Sequence, residues 1–282
     1  MSSHTTLVTA ETVARHVADA RWRQFDCRHD LANPALGTQQ YAKAHIPGAS
    51  FAHLDRDLSA PKTGSNGRHP LPEPGVFLAW MGKQGLNPGD QVVAYDAGNG
   101  TMAARLWWML RWVGHEHVAV LDGGFEEWLV QGRPTTSEVP RFAPSKYHGA
   151  ARPAAEVDAA FVASHLETSG IMLLDARAPA RFRGETEPID PVAGRIPGAR
   201  NRFCVENLAA DNRFKRAEDL RKEFGALLGD REPQEIVHYC GSGVAACHNA
   251  LAMEVAGFPG SRVYAGSWSE WIADPHRPRE TG

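Results

Sequence analysis

Apolar positions along this chain follow two alternating patterns. Short, largely apolar runs such as Val118-Ala119-Val120-Leu121, Ile171-Met172-Leu173-Leu174 and Ile236-Val237-His238-Tyr239 have the length and composition of strands covered on both faces. Between such runs, apolar residues recur at helical spacing. After Cys240 they are Val244, Cys247, Leu251 and Val255, with Gly257 and then Pro259 as a stop signal. Strands alternating with helices predict an α/β fold, each unit a mostly parallel sheet flanked by helices.

The alternation occurs twice. Phe25-Asp26-Cys27-Arg28 returns as Leu174-Asp175-Ala176-Arg177, an offset of 149 residues, and His45-Ile46-Pro47-Gly48-Ala49 returns as Arg195-Ile196-Pro197-Gly198-Ala199, an offset of 150. Val93-Ala94-Tyr95-Asp96 matches Val237-His238-Tyr239-Cys240 at 144, and Gly124-Phe125-Glu126-Glu127-Trp128 matches Ser267-Trp268-Ser269-Glu270-Trp271 at 143. Four collinear matches at nearly constant offset identify a duplicated domain. The 282 residues suit two domains of about 140 residues each. Pro134 to Pro153 contains four prolines and little periodicity and reads as a connection between them. The expected division is a domain over 1–137, a linker over 138–152 and a second domain over 153–282.

Composition narrows the function classes. A 43% hydrophobic content is enough for two buried cores, and a formal net charge of −3 advertises no surface for nucleic acid. No apolar run approaches the roughly 18–20 residues of a membrane span, so no membrane partner is expected. Met-Ser-Ser-His-Thr-Thr at the start lacks the basic and apolar regions of a signal peptide, which makes cytoplasmic the expected location. Cys27, Cys204, Cys240 and Cys247 have neither CxxC spacing nor clustered histidines, so no metal, disulfide framework or cofactor is expected.

The stretch that carries chemistry is His238-Tyr239-Cys240-Gly241-Ser242-Gly243-Val244-Ala245-Ala246-Cys247. A strand runs into a cysteine, then a glycine-rich turn, then a helix. Backbone N–H groups of residues 241 to 246, with the positive end of the helix, can converge on the thiol. The thiolate is the nucleophilic form of cysteine, and this order supplies a cradle for an anion. An inert buried thiol at a strand end is the ordinary fate of a free cysteine, and the Cys-Gly-x-Gly-helix order argues against it here. The repeat adds that the position of Cys240 is held by Asp96 in the first unit. An aspartate cannot perform thiolate chemistry, so one reacting site per chain is expected, in the second unit. Cys247, two helical turns on, reads as core packing. Asp26 and Asp175 occur in both repeats and read as structural, and Trp268 and Trp271 fit either a pocket wall or interdomain core.

At these residues the chain resembles the two-domain rhodanese-type sulfurtransferases. The resemblance extends to His45-Ile46-Pro47-Gly48-Ala49, Arg105 to Arg111, Leu121-Asp122-Gly123-Gly124 and Gly266 to Trp271, covering residues 7 to 275 or so. The fold it implies is two tandem rhodanese-like domains. The activity it implies is transfer of a sulfane sulfur through a persulfide on Cys240. Cys240-Gly241-Ser242-Gly243-Val244 is most similar to the loop of the mercaptopyruvate-using members. Thiosulfate-using members carry a basic residue where Gly241 or Ser242 stands. The expected small molecules are a sulfur donor and a thiophilic acceptor such as cyanide, a thiol or thioredoxin.

The same resemblance assigns proton movement at Cys240 to Ser242, to His69 in Arg68-His69-Pro70-Leu71-Pro72, and to Asp55. His69 and Asp55 precede the linker, so the expected site lies between the domains. Gly241, Gly243, Val244 and Ala245 would line the donor, and Arg181 would bind its carboxylate, a task suited to a guanidinium fork. Two positions depart from the family pattern. A second arginine is replaced near Asp190, a group that would repel a carboxylate, with Arg195 as the expected substitute. Ala245 stands where threonine is usual. Two other donor-and-chemistry assignments remain open: thiosulfate as donor, and a non-enzymatic sulfur carrier or binding module. A cysteine phosphatase is disfavoured, because the first arginine after Cys240 is Arg262, too far to clamp phosphate.

Overall fold

Strands over Trp22–Asp26 and Gln91–Tyr95 are buried at every position, the signature of a sheet covered on both faces. The computed structural model describes residues 3–168 and 170–282. The expected first domain begins at residue 1, and residues 1 and 2 lie outside the described residues. In chain order the first half contributes β1 (Leu7–Val8), α1 (Ala10–His16), β2 (Trp22–Asp26), α2 (Ala35–Lys43), β3 (Ser50–Phe51), α3 (Pro74–Lys83), β4 (Gln91–Tyr95), α4 (Thr101–Trp112), β5 (Val118–Leu121) and α5 (Gly124–Val130). The second half repeats the succession as β6 (Glu156–Val157), α6 (Ala159–Ser164), β7 (Met172–Asp175), α7 (Pro179–Phe182), β8 (Arg200–Asn201), α8 (Ala217–Leu228), β9 (Ile236–Tyr239), α9 (Val244–Val255), β10 (Arg262–Tyr264) and α10 (Ser267–Trp271).

The first sheet has the order β1-β5-β4-β2-β3 and the second β6-β10-β9-β7-β8, with every pairing parallel. The two α/β sheets are thus topological copies. The sequence runs at 118–121 and 236–239 coincide with β5 and β9, and the run at 171–174 is displaced by one residue in β7. One apolar cluster per sheet includes Val93, Tyr95, Leu121 and Trp128 in the first and Val237, Tyr239, Trp268 and Trp271 in the second.

Matching networks fix the strand ends. Asp26 binds the Arg28 guanidinium and accepts from Tyr95 Oη at 3.0 Å, while Tyr95 Oη accepts from Ile46 N. In the second unit Asp175 binds Arg177 and Tyr239 Oη accepts from Ile196 N. The aspartates are partners of buried arginines, which accounts for their presence in both copies.

Helix α9 ends as its sequence predicts. Gly257 lies at φ +79°, its N–H donates to Glu254 O, and Phe258 N donates to Met253 O at 2.8 Å, the paired bonds of a Schellman stop. The helix is less amphipathic than its spacing suggests, since Ala246 to Met253 are all buried.

The chain divides into two compact units that do not follow the halves of the sequence. The first comprises 1–60, 72–152 and 210–214, and the second 61–71, 153–209 and 215–282. Each half therefore lends a short segment to the other unit. Residues 138–152 run without regular structure along the first unit, where Ser145 N donates to Gly82 O and Arg152 N to Trp112 O. Segment 61–71 is tied into the second unit by Arg68 N, which donates to Ser269 Oγ at 3.0 Å.

Candidate active site

Strand β9 delivers Cys240 at its C-terminal end, and α9 begins four residues later at Val244. The turn between them demands glycine. Gly243 lies at φ +79°, and a Cβ there would come within 2.3 Å of Ala265 O. This tight turn aims two backbone donors at the thiol: Gly243 N lies 3.1 Å and Ser242 N 3.4 Å from Cys240 Sγ. Cys240 is 4% exposed, so these donors act in a largely water-excluded place.

The start of α10 braces the loop from behind. Trp268 N donates to Cys240 O and Ser269 N to Gly241 O, each at 3.0 Å. Ser267 Oγ accepts from Cys240 N at 3.1 Å and donates to Tyr264 O at 2.9 Å. Ser267 does so from φ +55°, a conformation that L residues resist. Its counterpart Gly124 adopts φ +58° without that cost. Val244 is buried and Ala245 half-buried in the first turn of α9, where Ala245 offers no hydroxyl.

The first unit shows what this backbone accommodates. Asp96 occupies the position of Cys240, with Phe125 N donating to Asp96 O and Glu126 N to Ala97 O as in the second unit. Its Oδ1 accepts from Gly98 N and Gly100 N at 3.1 and 3.0 Å, and its Oδ2 from Met102 N and Ala103 N at 2.8 and 3.3 Å. Burial pushes the Asp96 carboxyl above its ordinary value, with the four N–H groups opposing. The loop of the first unit thus cradles a carboxyl group, its own Asp96 side chain filling the cradle.

Segment 61–71 brings His69 to the second unit's loop. Its Nδ1 lies 2.7 Å from Ser242 Oγ, and both residues are buried. His69 is part of the second compact unit and Asp55 of the first. There the Asp55 carboxylate lies 3.8 Å from His29 Nε2, and its N–H donates to His53 Nδ1 at 3.1 Å.

Arg181, on α7, grips Glu187 through Nε at 3.1 Å and Nη2 at 2.6 Å, and its Nη2 also reaches Asp190 Oδ2 at 3.1 Å. Burial works against ionised Glu187, but Arg181 and the N–H groups of Asp190 and Ile189 hold its carboxyl below the ordinary value. Asp190 does not stand as a bare repelling charge. Arg68 meets it in a fork, Nε to Oδ1 at 2.9 Å and Nη2 to Oδ2 at 3.1 Å. Burial pushes the Asp190 carboxyl up, with Arg68 as the main opposing charge.

The cluster lies directly over the loop. A Cβ on Gly241 would fall 2.5 Å from Arg68 Nη2, 3.5 Å from Arg181 Nη2 and 3.6 Å from Asp190 Oδ2. Arg195 is engaged elsewhere, with Glu280 Oε1, the Gly282 carbonyl and the ring of Phe182 as its partners. The cation that joins Arg181 beside the loop is Arg68. Its one visible signal in the sequence is adjacency to His69.

Cys247 is packed as core, as its spacing predicts, and the two tryptophans left open between pocket wall and core lie in a core. Cys247 Sγ donates to Gly243 O at 3.1 Å inside the second unit. Trp268 and Trp271 belong to that unit's core, their indole N–H groups donating to Val192 O and Pro278 O.

Two parallel α/β sheets, one carrying a cysteine in an anion-cradling loop and the other an aspartate in its place, define a duplicated fold with a single thiol site. The rhodanese-like domain family model matches residues 9–131 and 158–274, and the chain belongs to the rhodanese family. It is 48% identical over 278 residues to a Pseudomonas aeruginosa protein named "Probable 3-mercaptopyruvate sulfurtransferase", covering 98% of each chain. It is 35% identical over 284 residues to the thiosulfate sulfurtransferase of Cricetulus griseus, covering 93% of each. Among solved structures, SseA from Escherichia coli, described with the 3-mercaptopyruvate sulfotransferases, superposes with a TM-score of 0.81 at 30% identity, over 94% of this chain and 99% of that one. Within the family the chain is a two-domain sulfurtransferase.

Proposed function

We propose that the chain moves a sulfur atom from 3-mercaptopyruvate to a thiophilic acceptor through a persulfide on Cys240. The thiolate attacks the donor sulfur, the donor carbon–sulfur bond breaks, and the electron pair goes to the carbon beside the ketone. The proton of the donor thiol moves to that carbon, giving pyruvate and a Cys240 persulfide anion. An acceptor thiolate or cyanide then takes the outer sulfur and releases the Cys240 thiolate. Two moderate steps replace one difficult transfer.

The observation that carries this reading is the pairing of two features at one thiol. Gly243 N and Ser242 N point at Sγ, and the Ser242 hydroxyl is hydrogen-bonded to His69. The donors suit an anion that grows on the sulfur. The Ser242–His69 pair suits the proton that must travel from sulfur to carbon. Asp96 supports the first role, since the copied loop holds a carboxylate by its N–H groups. Asp55 is assigned to the same proton path by resemblance.

Thiosulfate is the second reading of the donor, supported by the 35% identity to the thiosulfate sulfurtransferase of Cricetulus griseus. Specificity constants for pyruvate release from 3-mercaptopyruvate and for thiocyanate formation from thiosulfate with cyanide decide between them. The acceptors proposed are cyanide, a small thiol or thioredoxin. Mass spectrometry tests the persulfide itself: with donor and no acceptor, the protein gains one sulfur atom, about 32 Da, at Cys240. Turnover without that adduct, or full activity of Cys240→Ser, overturns the reading.

A further inference from the structure

We propose that Arg68 is the second donor-binding cation of the Cys240 site, and that Asp190 is its brace. The pair would select a donor with a single planar carboxylate over a dianion. This rests on the sulfur-transfer reading above and specifies what the donor's far end must be.

Three observations converge on it. The first is layering. The side chains of Asp190 and Glu187 are 2% and 4% exposed, while those of Arg68 and Arg181 are 24% and 16% exposed. The carboxylates lie beneath and the guanidinium groups face outward.

The second is the hydrogen-bond inventory. Asp190 and Glu187 take only Nε and Nη2 of the two arginines. Nη1 of Arg68 and Nη1 of Arg181 have no hydrogen-bond partner among the described residues. Two guanidinium edges are thus held in fixed orientation with donors to offer, which is the condition for recognising a planar carboxylate.

The third is position and charge. Both groups lie over Gly241, the residue next to the nucleophile, and the backbone of Arg68 is pinned by Ser269. Arg177 also reaches Glu187, with Nη1 3.4 Å from Oε2, and is itself paired with Asp175, so three guanidinium groups meet three carboxylates and leave the cluster without net charge. Such a seat recognises an anion by fork geometry, and it gives a dianion such as thiosulfate little extra attraction. The residue that removes the family's second arginine therefore supports a substitute from another part of the chain.

The test uses the full-length protein with three donors: 3-mercaptopyruvate, its neutral analogue 1-mercaptopropan-2-one, and thiosulfate. Arg68→Gln is expected to raise KM for 3-mercaptopyruvate about 10-fold or more, with kcat changed less than about threefold and the neutral ketone unaffected. Asp190→Asn leaves an uncompensated positive charge and is expected to raise the thiosulfate to mercaptopyruvate ratio of kcat/KM about 10-fold. The double variant Arg68→Gln/Asp190→Asn removes both charges. It is expected to recover the thermal midpoint lost in Arg68→Gln while KM for 3-mercaptopyruvate stays high.

If the double variant restores KM together with stability, Arg68 only props the fold and the inference is overturned. The same holds if Arg68→Gln leaves KM for 3-mercaptopyruvate unchanged in a protein whose Cys240 still forms the persulfide. Wild-type protein that forms no persulfide with any of the three donors overturns the functional reading and this inference with it.

Discussion

The imidazole of His69 and the hydroxyl of Ser242 meet at 2.7 Å although 173 residues separate them in the chain. Only one of the two half-reactions requires a proton to reach carbon, and only when the donor is a mercapto-ketone. Ser242→Ala and His69→Gln are therefore expected to slow pyruvate release from 3-mercaptopyruvate by about 100-fold, the usual contribution of a positioned acid or base. Persulfide formation from thiosulfate releases sulfite and needs no such proton. Single-turnover persulfide yield with thiosulfate should fall much less. Equal losses with both donors would remove the pair from the proton path.

Ser267 holds Cys240 N from a left-handed backbone, and its hydroxyl and its strain can be separated by two substitutions. Ser267→Ala keeps the strain and loses the bond, with an expected cost of about 2 kcal/mol. Ser267→Gly loses the bond and relieves the strain, so its cost should be smaller by about 1 kcal/mol. Urea midpoints at constant slope check the order. An alanine variant as stable as the glycine variant would mean that φ +55° carries no penalty here.

The same comparison in the first unit concerns Asp96, whose carboxylate accepts four backbone N–H groups. Asp96→Ala leaves these buried donors without their acceptor and is expected to destabilise the protein by about 3 kcal/mol or more. Activity per folded molecule should remain within about twofold of wild type, since the reacting thiol is elsewhere. Urea unfolding and active-site titration of Cys240 measure the two quantities independently.

His238, two residues before the nucleophile, is fully buried between Leu174 and Val263 of the neighbouring strands, with neither ring nitrogen hydrogen-bonded. Burial lowers its pKa from 6.5 to about 3. The unfolded chain therefore takes up a proton that the folded chain refuses. Stability is complete above pH 6.5, falls as pH drops toward 3, and levels off below that. The slope from this one group is about 1.4 kcal/mol per pH unit, or about 3 kcal/mol by pH 4.5. Replacing His238 with leucine should flatten the urea midpoint between pH 7 and pH 4.5. An unchanged acid slope in that variant would assign the loss to other groups.

Much of this architecture was legible in the sequence because it is written twice. The duplicated Asp-x-Arg, Ile-Pro-Gly-Ala and Glu-Trp stretches fixed the pairing of one unit with the other, and the strand runs at 118–121 and 236–239 coincide with β5 and β9. Cys240 was legible for a local reason, since strand, thiol, glycine turn and helix are contiguous. Arg68 was not, because its role depends on two forks that close through the fold, to Asp190 at a separation of 122 residues and over Gly241. Nor could spacing show that Arg195 turns to Glu280 and Gly282. Periodicity also understated α9, whose small residues Ala246, Ala250 and Ala252 are buried as fully as its larger ones. Ser267 carries a signal of another kind: a serine aligned with Gly124 marks a position where the backbone itself is demanding.

The loan of segments 61–71 and 210–214 between the two compact units has a genealogical consequence. A gene split within 138–152 would yield a downstream product with Cys240 and Arg181 but without Arg68 and His69. That fragment would keep its thiol and lose the groups proposed to work upon it. The silent copy therefore cannot be shed as surplus after duplication. It carries aspartate where its twin carries the thiol, and on the reading proposed above it supplies parts that the twin's thiol uses.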